Sequence, residues 1–248
     1  MRFSVHYIDK TDSTNRALWR LIDAGSTTGE GLVLHAGNQT AGRGLGNNRW
    51  TSEPNKNLTV SVLLKPVFLP PARQFFLNKS MAIGIRNTLS ELCPDKMFTI
   101  KWPNDIYAGN KKIAGTLIEN RIMGQAYELS IVGIGINVNQ TSFPADLPNP
   151  SSLALLCGKK YILGECLDRL LLHTGRQYDR LVKGHHADLD DEYIRHLMGY
   201  RKRMRFKKGK NIIEASITGV DEYGKMILEL ENGHTESFGM KEIQMLPD

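Results

Sequence analysis

Cysteine is scarce. The 248 residues hold three, Cys93, Cys157 and Cys166, an odd number with no Cys-x-x-Cys or metal-ligand spacing. A disulfide framework and a zinc module are therefore excluded as organising principles, and the three are read as buried free thiols with little weight for covalent Cys catalysis. No apolar run approaches the roughly 18 residues that span a bilayer. The start, Met1-Arg2-Phe3-Ser4-Val5-His6-Tyr7, has neither the apolar core of a signal peptide nor an Arg-rich, acid-poor pattern. The expected location is the cytoplasm, with no membrane partner. With 10 prolines and 23 glycines and no internal repeat, the chain is neither collagenous nor of low complexity. What is present, 41% apolar and 23% charged residues, is the profile of a folded soluble protein.

Charge of one sign is also lacking, except in one place. The net charge is +6, but residues 201–210, RKRMRFKKGK, hold seven of the 32 basic residues and no acid, which leaves 25 basic against 26 acidic elsewhere. No extended basic surface follows, and a nucleic-acid partner is not expected. The strip is read as either a solvated strand and turn or a docking surface for an acidic protein. The seven histidines show no spacing that suggests a metal or catalytic role.

Residues 13–24 open with Ser13, Thr14 and Asn15, good N-cap types, and place Ala17, Leu18, Leu21 and Ile22 on one face, which predicts a helix stopped by Gly25. Val- and Leu-rich runs predict strands at 31–36 and 57–65, and 72–92 reads as a long helix after Pro70-Pro71. Strand patterns follow at 98–102, 111–119 and 127–137, a Pro-rich loop at 141–152, and helices at 163–182 and 188–198. Beyond Gly199 the pattern changes to short strands at 211–220, 225–231 and 234–238, with Asn232-Gly233 as a hairpin turn. Domains of 1–199 and 200–248 are expected: α+β, a mixed sheet backed by helices, then a small β domain.

Three segments carry chemistry. Gly42-Arg43-Gly44, followed by Trp50, offers backbone amides and a fixed cation to a phosphate and a flat ring to a base. It is neither a Walker A loop nor a dinucleotide fingerprint. Lys101-Trp102-Pro103-Asn104-Asp105 and Lys111-Lys112-Ile113-Ala114-Gly115 set Asp105 and Lys112 seven residues apart across a turn, so both can face one cleft. Gly133-Ile134-Gly135-Ile136-Asn137 is a glycine-interrupted strand, which marks close approach by a ligand or by another strand.

With Asp12-Ser13-Thr14-Asn15 upstream, these segments resemble, in order and spacing, the biotin protein ligases of the monofunctional type, also called biotin–[acetyl-CoA-carboxylase] ligases. The resemblance implies a catalytic domain like that of class II aminoacyl-tRNA synthetases and an SH3-like C-terminal domain. It implies ATP and biotin as substrates with Mg2+, a biotinyl-5′-AMP intermediate, and a biotin carboxyl carrier domain as acceptor. Arg43 and Lys112 match the basic residues at the adenylate phosphate and biotin carboxylate. Asp105 matches the aspartate that assists the acceptor lysine. Ser13, Thr14, Gln39, Gly42, Gly115, Gly133 and Gly135 match the biotin site, together with Arg43 and Lys112. Trp50, Lys101, Asn104 and Asn137 match the nucleotide site, with Arg43 and Lys112 again. No metal ligand can be assigned.

Ser13 lies a dozen residues from the start of this sequence, so the DNA-binding domain of some bacterial relatives is not expected. A homodimer stays open, because sequence does not fix which sheet edges pair. Two other readings stay open as well. One is a lipoate or octanoate ligase or transferase of the same superfamily, which the KWPND and KIAG pair disfavours. The other is a non-catalytic biotin-binding module, for which Arg43, Lys112 and Asp105 would be superfluous. Where the family's loop commonly reads Gly-Arg-Gly-Arg-x-Gly-Arg-x-Trp, this chain has Leu45 and Asn48 for arginines and Asn47 for the glycine. Two cations fewer should weaken retention of the intermediate. A Leu45→Arg, Asn48→Arg double variant is expected to release biotinyl-AMP roughly tenfold more slowly in a filter or stopped-flow assay, because each restored cation can make a charge-assisted hydrogen bond.

Overall fold

The computed structural model describes residues 1–26, 29–124 and 126–246. Its centre is β3 (Leu58–Leu64), whose sequence LTVSVLL is buried at every position. Such a continuous apolar run requires cover on both faces. β3 pairs antiparallel with β2 (Leu32–Gln39) on one side and β7 (Ala126–Ile136) on the other. β1 (Ser4–Thr11) adds parallel to β2. On the far side β7 is followed by β6 (Lys111–Met123), β5 (Asp105–Ala108) and β4 (Phe98–Lys101), all antiparallel, which completes a seven-stranded mixed sheet.

Alternation along β3 sends successive side chains to opposite faces. Leu63 joins Leu34, Leu129 and Ile131 beneath Leu18 and Ile22 of α1 (Thr14–Asp23). Val60, Val62 and Leu64 join the larger core under α2 (Phe75–Leu92) and α4 (Leu163–Val182). α2 begins later than the sequence predicts, since Pro71–Arg73 forms a 3-10 turn first. It is buried almost all round because the sheet, α4 and α5 (His186–Arg195) enclose it. Within it Lys79 is 1% exposed, and its ammonium bonds Asp190 of α5 and lies 3.3 Å from the Val220 carbonyl of the second sheet.

That second sheet is antiparallel and five-stranded: β8 (Arg203–Lys208), β9 (Asn211–Val220), β10 (Met226–Leu230), β11 (Thr235–Phe238) and β12 (Gln244–Met245), in the order β11-β10-β9-β8-β12. The Asn232-Gly233 turn joins β10 to β11 as expected, with Gly233 at φ 78°. Phe206, Ile217, Leu228 and Phe238 belong to the same apolar cluster as α2. Much of the basic strip lies on β8, and part of it is neutralised locally: Arg203 pairs with Glu214 and Glu231, and Lys208 with Glu236 at 2.7 Å.

Besides the two-residue β12, three elements were not foreseen. β1 carries no apolar alternation, being exposed along most of its length. β5 is only four residues, so the segment read as a turn is a strand with a turn at each end. α3 (Leu153–Cys157) is a five-residue helix directly after the Pro-rich loop. α3 also explains a correction to the cysteine chemistry. Cys93, at the C-terminal cap of α2, and Cys157, the last residue of α3, stand with Cα atoms 6.5 Å apart and form a disulfide, and Cys166 alone is free and buried. Their separation of 64 residues hid the pairing from any spacing argument. Closing a loop of that size restricts the unfolded chain. Reduction, or a Cys157→Ser variant, is expected to lower unfolding stability by about 2–4 kcal/mol in urea denaturation.

Candidate active site

The cleft lies on the α1 face of the sheet, and strand register builds its floor. Thr59, Gly135, Gly115, Asp105 and Lys101 are successive Cα partners across β3, β7, β6, β5 and β4. Two residues along, Ser61, Gly133 and Leu117 make a second row, and Leu63, Ile131 and Glu119 a third. Because partners in register face the same side, the glycines of the first two rows leave a shallow trough beside Asp105. A cavity of about 190 Å³ sits over it.

Close packing explains the glycines. A Cβ on Gly135 would lie 2.6 Å from Trp50 Cζ2, one on Gly115 would lie 2.9 Å from Asp105 Oδ1, and one on Gly133 would collide with the Asn15 side chain. Trp50 therefore covers the first row and Asn15 the second.

The walls at the α1 end are polar. Ser13 is 3% exposed and sits at the N-cap of α1, but its hydroxyl makes no capping bond. Its N–H donates instead to Asp12 Oδ1 at 2.8 Å. Arg20 grips both Asp12 oxygens, at 2.7 and 3.0 Å, and holds the Asp12 carboxyl well below the usual carboxylate range. Gln39 Oε1 accepts from the Thr14 backbone N–H at 2.8 Å and from its hydroxyl at 3.1 Å, so the Gln39 amide nitrogen is the end left for other contacts. Ser61 Oγ stands 2.6 Å from Asn15 Oδ1 and 2.7 Å from Thr14 Oγ1.

The other end is charged. Lys112 Nζ and Asp105 Oδ2 are 2.6 Å apart, which is the juxtaposition expected from their spacing. The backbone of Lys112 is held by residues 149–151, donating to the Asn149 carbonyl at 2.8 Å and accepting from Ser151 at 2.9 Å. The turn before Asp105 contains a cis Trp102–Pro103 peptide and is held from three directions. Trp102 Nε1 donates to the Gly224 carbonyl at 3.0 Å, Tyr193 Oη to the Pro103 carbonyl at 3.3 Å, and Asn104 Nδ2 to the Thr116 carbonyl.

Ser13, Thr14, Gln39, Arg43, Trp50 and Asn104 thus share one cavity with Asp105, Lys112, Gly115, Gly133 and Gly135. Three expected residues stand apart from it. Gly42 lies on the outer side of the loop. Lys101 faces a second cavity of about 440 Å³, shared with Lys207 of β8 and Lys241 of the turn before β12, and burial depresses its ammonium's pKa. Asn137 is buried with Nδ2 on the Ser151 carbonyl at 2.9 Å, and its Oδ1 has no partner among the described residues. Arg43 is in the cleft but not beside Lys112, because its Nη1 bonds Glu119 Oε1 at 2.8 Å. Asn15 and Glu119 were missed as site residues, though Asn15 ended a segment already singled out. Glu119 had no local signal, since only the register of β6 on β7 carries it to the cleft.

A sheet floored by glycine, a polar α1 end and a lysine–aspartate pair occur together in a known group of proteins. A family model described as the biotin/lipoate A/B protein ligase family matches residues 7–137, the span that contains every cleft residue named above. The chain belongs to this family. Among relatives, the bifunctional ligase/repressor BirA of Bacillus spizizenii is 29% identical over 92% of this chain and 70% of its own length. The biotin–[acetyl-CoA-carboxylase] ligase of Mycobacterium tuberculosis is 27% identical over 90% and 82%. The fold matches that of the Aquifex aeolicus biotin protein ligase solved with biotin and ATP, with a TM-score of 0.82, 24% identity and 99% of both chains covered. The expected architecture, an α+β ligase domain followed by a small antiparallel β sheet, is thereby borne out.

As a member of this ligase family the chain should depend on its floor glycines for shape. Gly135→Ala is expected to displace the Trp50 ring, read as a changed tryptophan fluorescence spectrum, while the overpacking lowers stability by about 1–3 kcal/mol.

Proposed function

We propose that the chain is an ATP-dependent, AMP-forming biotin–protein ligase. It joins the biotin carboxylate to the α-phosphate of ATP with release of pyrophosphate, then passes the biotinyl group from AMP to a lysine amine of a biotin carboxyl carrier domain. The observation that carries this reading is the Lys112–Asp105 pair beside a glycine floor.

The first step brings two anions together, so it needs fixed positive charge. A cation about 4 Å from a phosphate oxygen is worth roughly 4 kcal/mol at an effective dielectric near 20. Lys112 provides this at the charged end of the cleft, and Arg43 is the second cation. At the α1 end, Ser13, Thr14 and Gln39 provide the donors and acceptors that a ureido ring requires. This favours biotin over lipoate or octanoate, whose far ends have nothing to satisfy such groups. Trp50 is the stacking surface for adenine, with Asn104 in the same cavity.

In the second step the carrier lysine arrives as an ammonium, with a reference pKa of about 10.4. Asp105 orients it and shares its proton as the amine attacks the mixed anhydride; AMP leaves with the bonding electrons. A carboxylate is too weak a base to deprotonate the amine fully beforehand. Among the described residues no group of three or more His, Cys, Asp or Glu could hold a metal. Mg2+ would enter with ATP, mostly through phosphate oxygens and water, and no protein ligand and no step are assigned to it.

The carrier domain is the partner in this reading, and neither nucleic acid nor membrane takes part. We place the domain boundary at 199/200 and the reaction in the cytoplasm, where the glutathione pool opposes the Cys93–Cys157 bond. Among the described residues no helix is long and apolar enough to cross a membrane.

The test is mass analysis of a carrier domain incubated with ATP and, separately, biotin, lipoate or octanoate. Wild type is expected to add a biotinyl mass alone, and Lys112→Ala to lose the rate by a hundredfold or more, the order seen when one charge-stabilising donor is removed. A lipoyl or octanoyl mass without a biotinyl one would refute the reading.

A further inference from the structure

Arg43 and Lys112 are assigned to one anion, yet the structure holds them at opposite ends of the cleft. Lys112 is on Asp105, in the row of Gly115, while Arg43 is on Glu119, four residues further along β6. At about 3.3 Å per residue those rows are roughly 13 Å apart. One phosphate cannot touch both cations unless Arg43 leaves Glu119.

Glu119 is itself built in. Its Oε2 accepts from Asn15 Nδ2 at 2.9 Å and from Trp19 Nε1 at 3.3 Å, both on α1, and this presents Oε1 to Arg43. The carboxylate is 21% exposed, so its attraction for Arg43 is less screened than at an open surface. The loop is braced internally, because Trp50 N–H donates to the Gly42 carbonyl at 3.1 Å and Gly44 N–H to the Asn48 carbonyl at 2.8 Å. Its Arg43 end is therefore fixed by Glu119, and its Trp50 end rests on Gly135.

We propose that Glu119 is a positioning residue for the Gly42–Trp50 loop: it holds Arg43 at the α1 end of the cleft and competes with the adenylate phosphate for it. The competition sets how tightly the intermediate is retained. This rests on the ligase reading only for the identity of the anion.

Two measurements test it on the full-length chain. Glu119→Gln keeps the side-chain length and an acceptor for Asn15 and Trp19 but removes the charge. Trp19→Phe leaves the charge but removes one of its anchors, which covers the case in which Glu119→Gln fails to fold. Without any substrate, tryptic cleavage after Arg43, followed by mass spectrometry, is expected to be about fivefold faster in Glu119→Gln and to rise less in Trp19→Phe. Fivefold is the equilibrium worth of a partly exposed ion pair. Biotinyl-AMP is expected to dissociate about fivefold more slowly from Glu119→Gln, a gain that general structural damage does not produce. Unchanged cleavage in both variants, or dissociation that is equal or faster, overturns the proposal. If wild type forms no biotinyl-AMP, the ligase reading fails, and cleavage in the absence of substrate still decides whether Glu119 restrains the loop.

Discussion

The register of three antiparallel strands is the constraint on which the rest depends. β3, β7 and β6 are aligned so that Ser61, Gly133 and Leu117 face the same side in one row, and Thr59, Gly135 and Gly115 in the next. A slip of one residue would turn Val60 and Ile134 into the cleft and bury the polar row against α2. The cleft and the core are two faces of one alternation, so the same pairing that packs Val60, Val62 and Leu64 under the helices empties the opposite face for a ligand.

Around that floor, elements distant in sequence converge on the Lys112–Asp105 pair. Residues 149–151 hold the Lys112 backbone, and the second sheet reaches the turn before Asp105 through the Gly224 carbonyl and Trp102. Tyr193 of α5 bonds the Pro103 carbonyl, and Lys79 ties α5 to the end of β9. The C-terminal sheet shares the apolar core of α2. Through the Gly224 carbonyl it braces the turn on which the aspartate stands.

Much of this was legible in the sequence, for reasons that differ by element. The segment 163–182 was predicted with the boundaries it has, because its apolar residues repeat at helical spacing and turn signals flank it. The pairing of Asp105 with Lys112 was legible because a hairpin relates residues close in sequence. Glu119 was not, since its place opposite Ile131 depends on strand register and its contact with Arg43 crosses 76 residues. The Cys93–Cys157 bond failed for the same reason, two helix ends meeting across 64 residues with no spacing rule to announce them. β1 was invisible because an exposed edge strand has no apolar face to alternate. Local periodicity is written in the chain, whereas contacts made by register and by helix ends are properties of the assembled sheet.

The glycine floor also limits how this site could be altered. Gly115, Gly133 and Gly135 already carry the smallest side chains available, so no substitution there can deepen the trough; every change can only fill it. Space for a bulkier acid could be gained only at the walls, at residues such as Leu45 and Leu117 that line the cavity with side chains still large enough to trim. Adaptation to new substrates would therefore proceed sideways, with the depth of the site held fixed by its backbone.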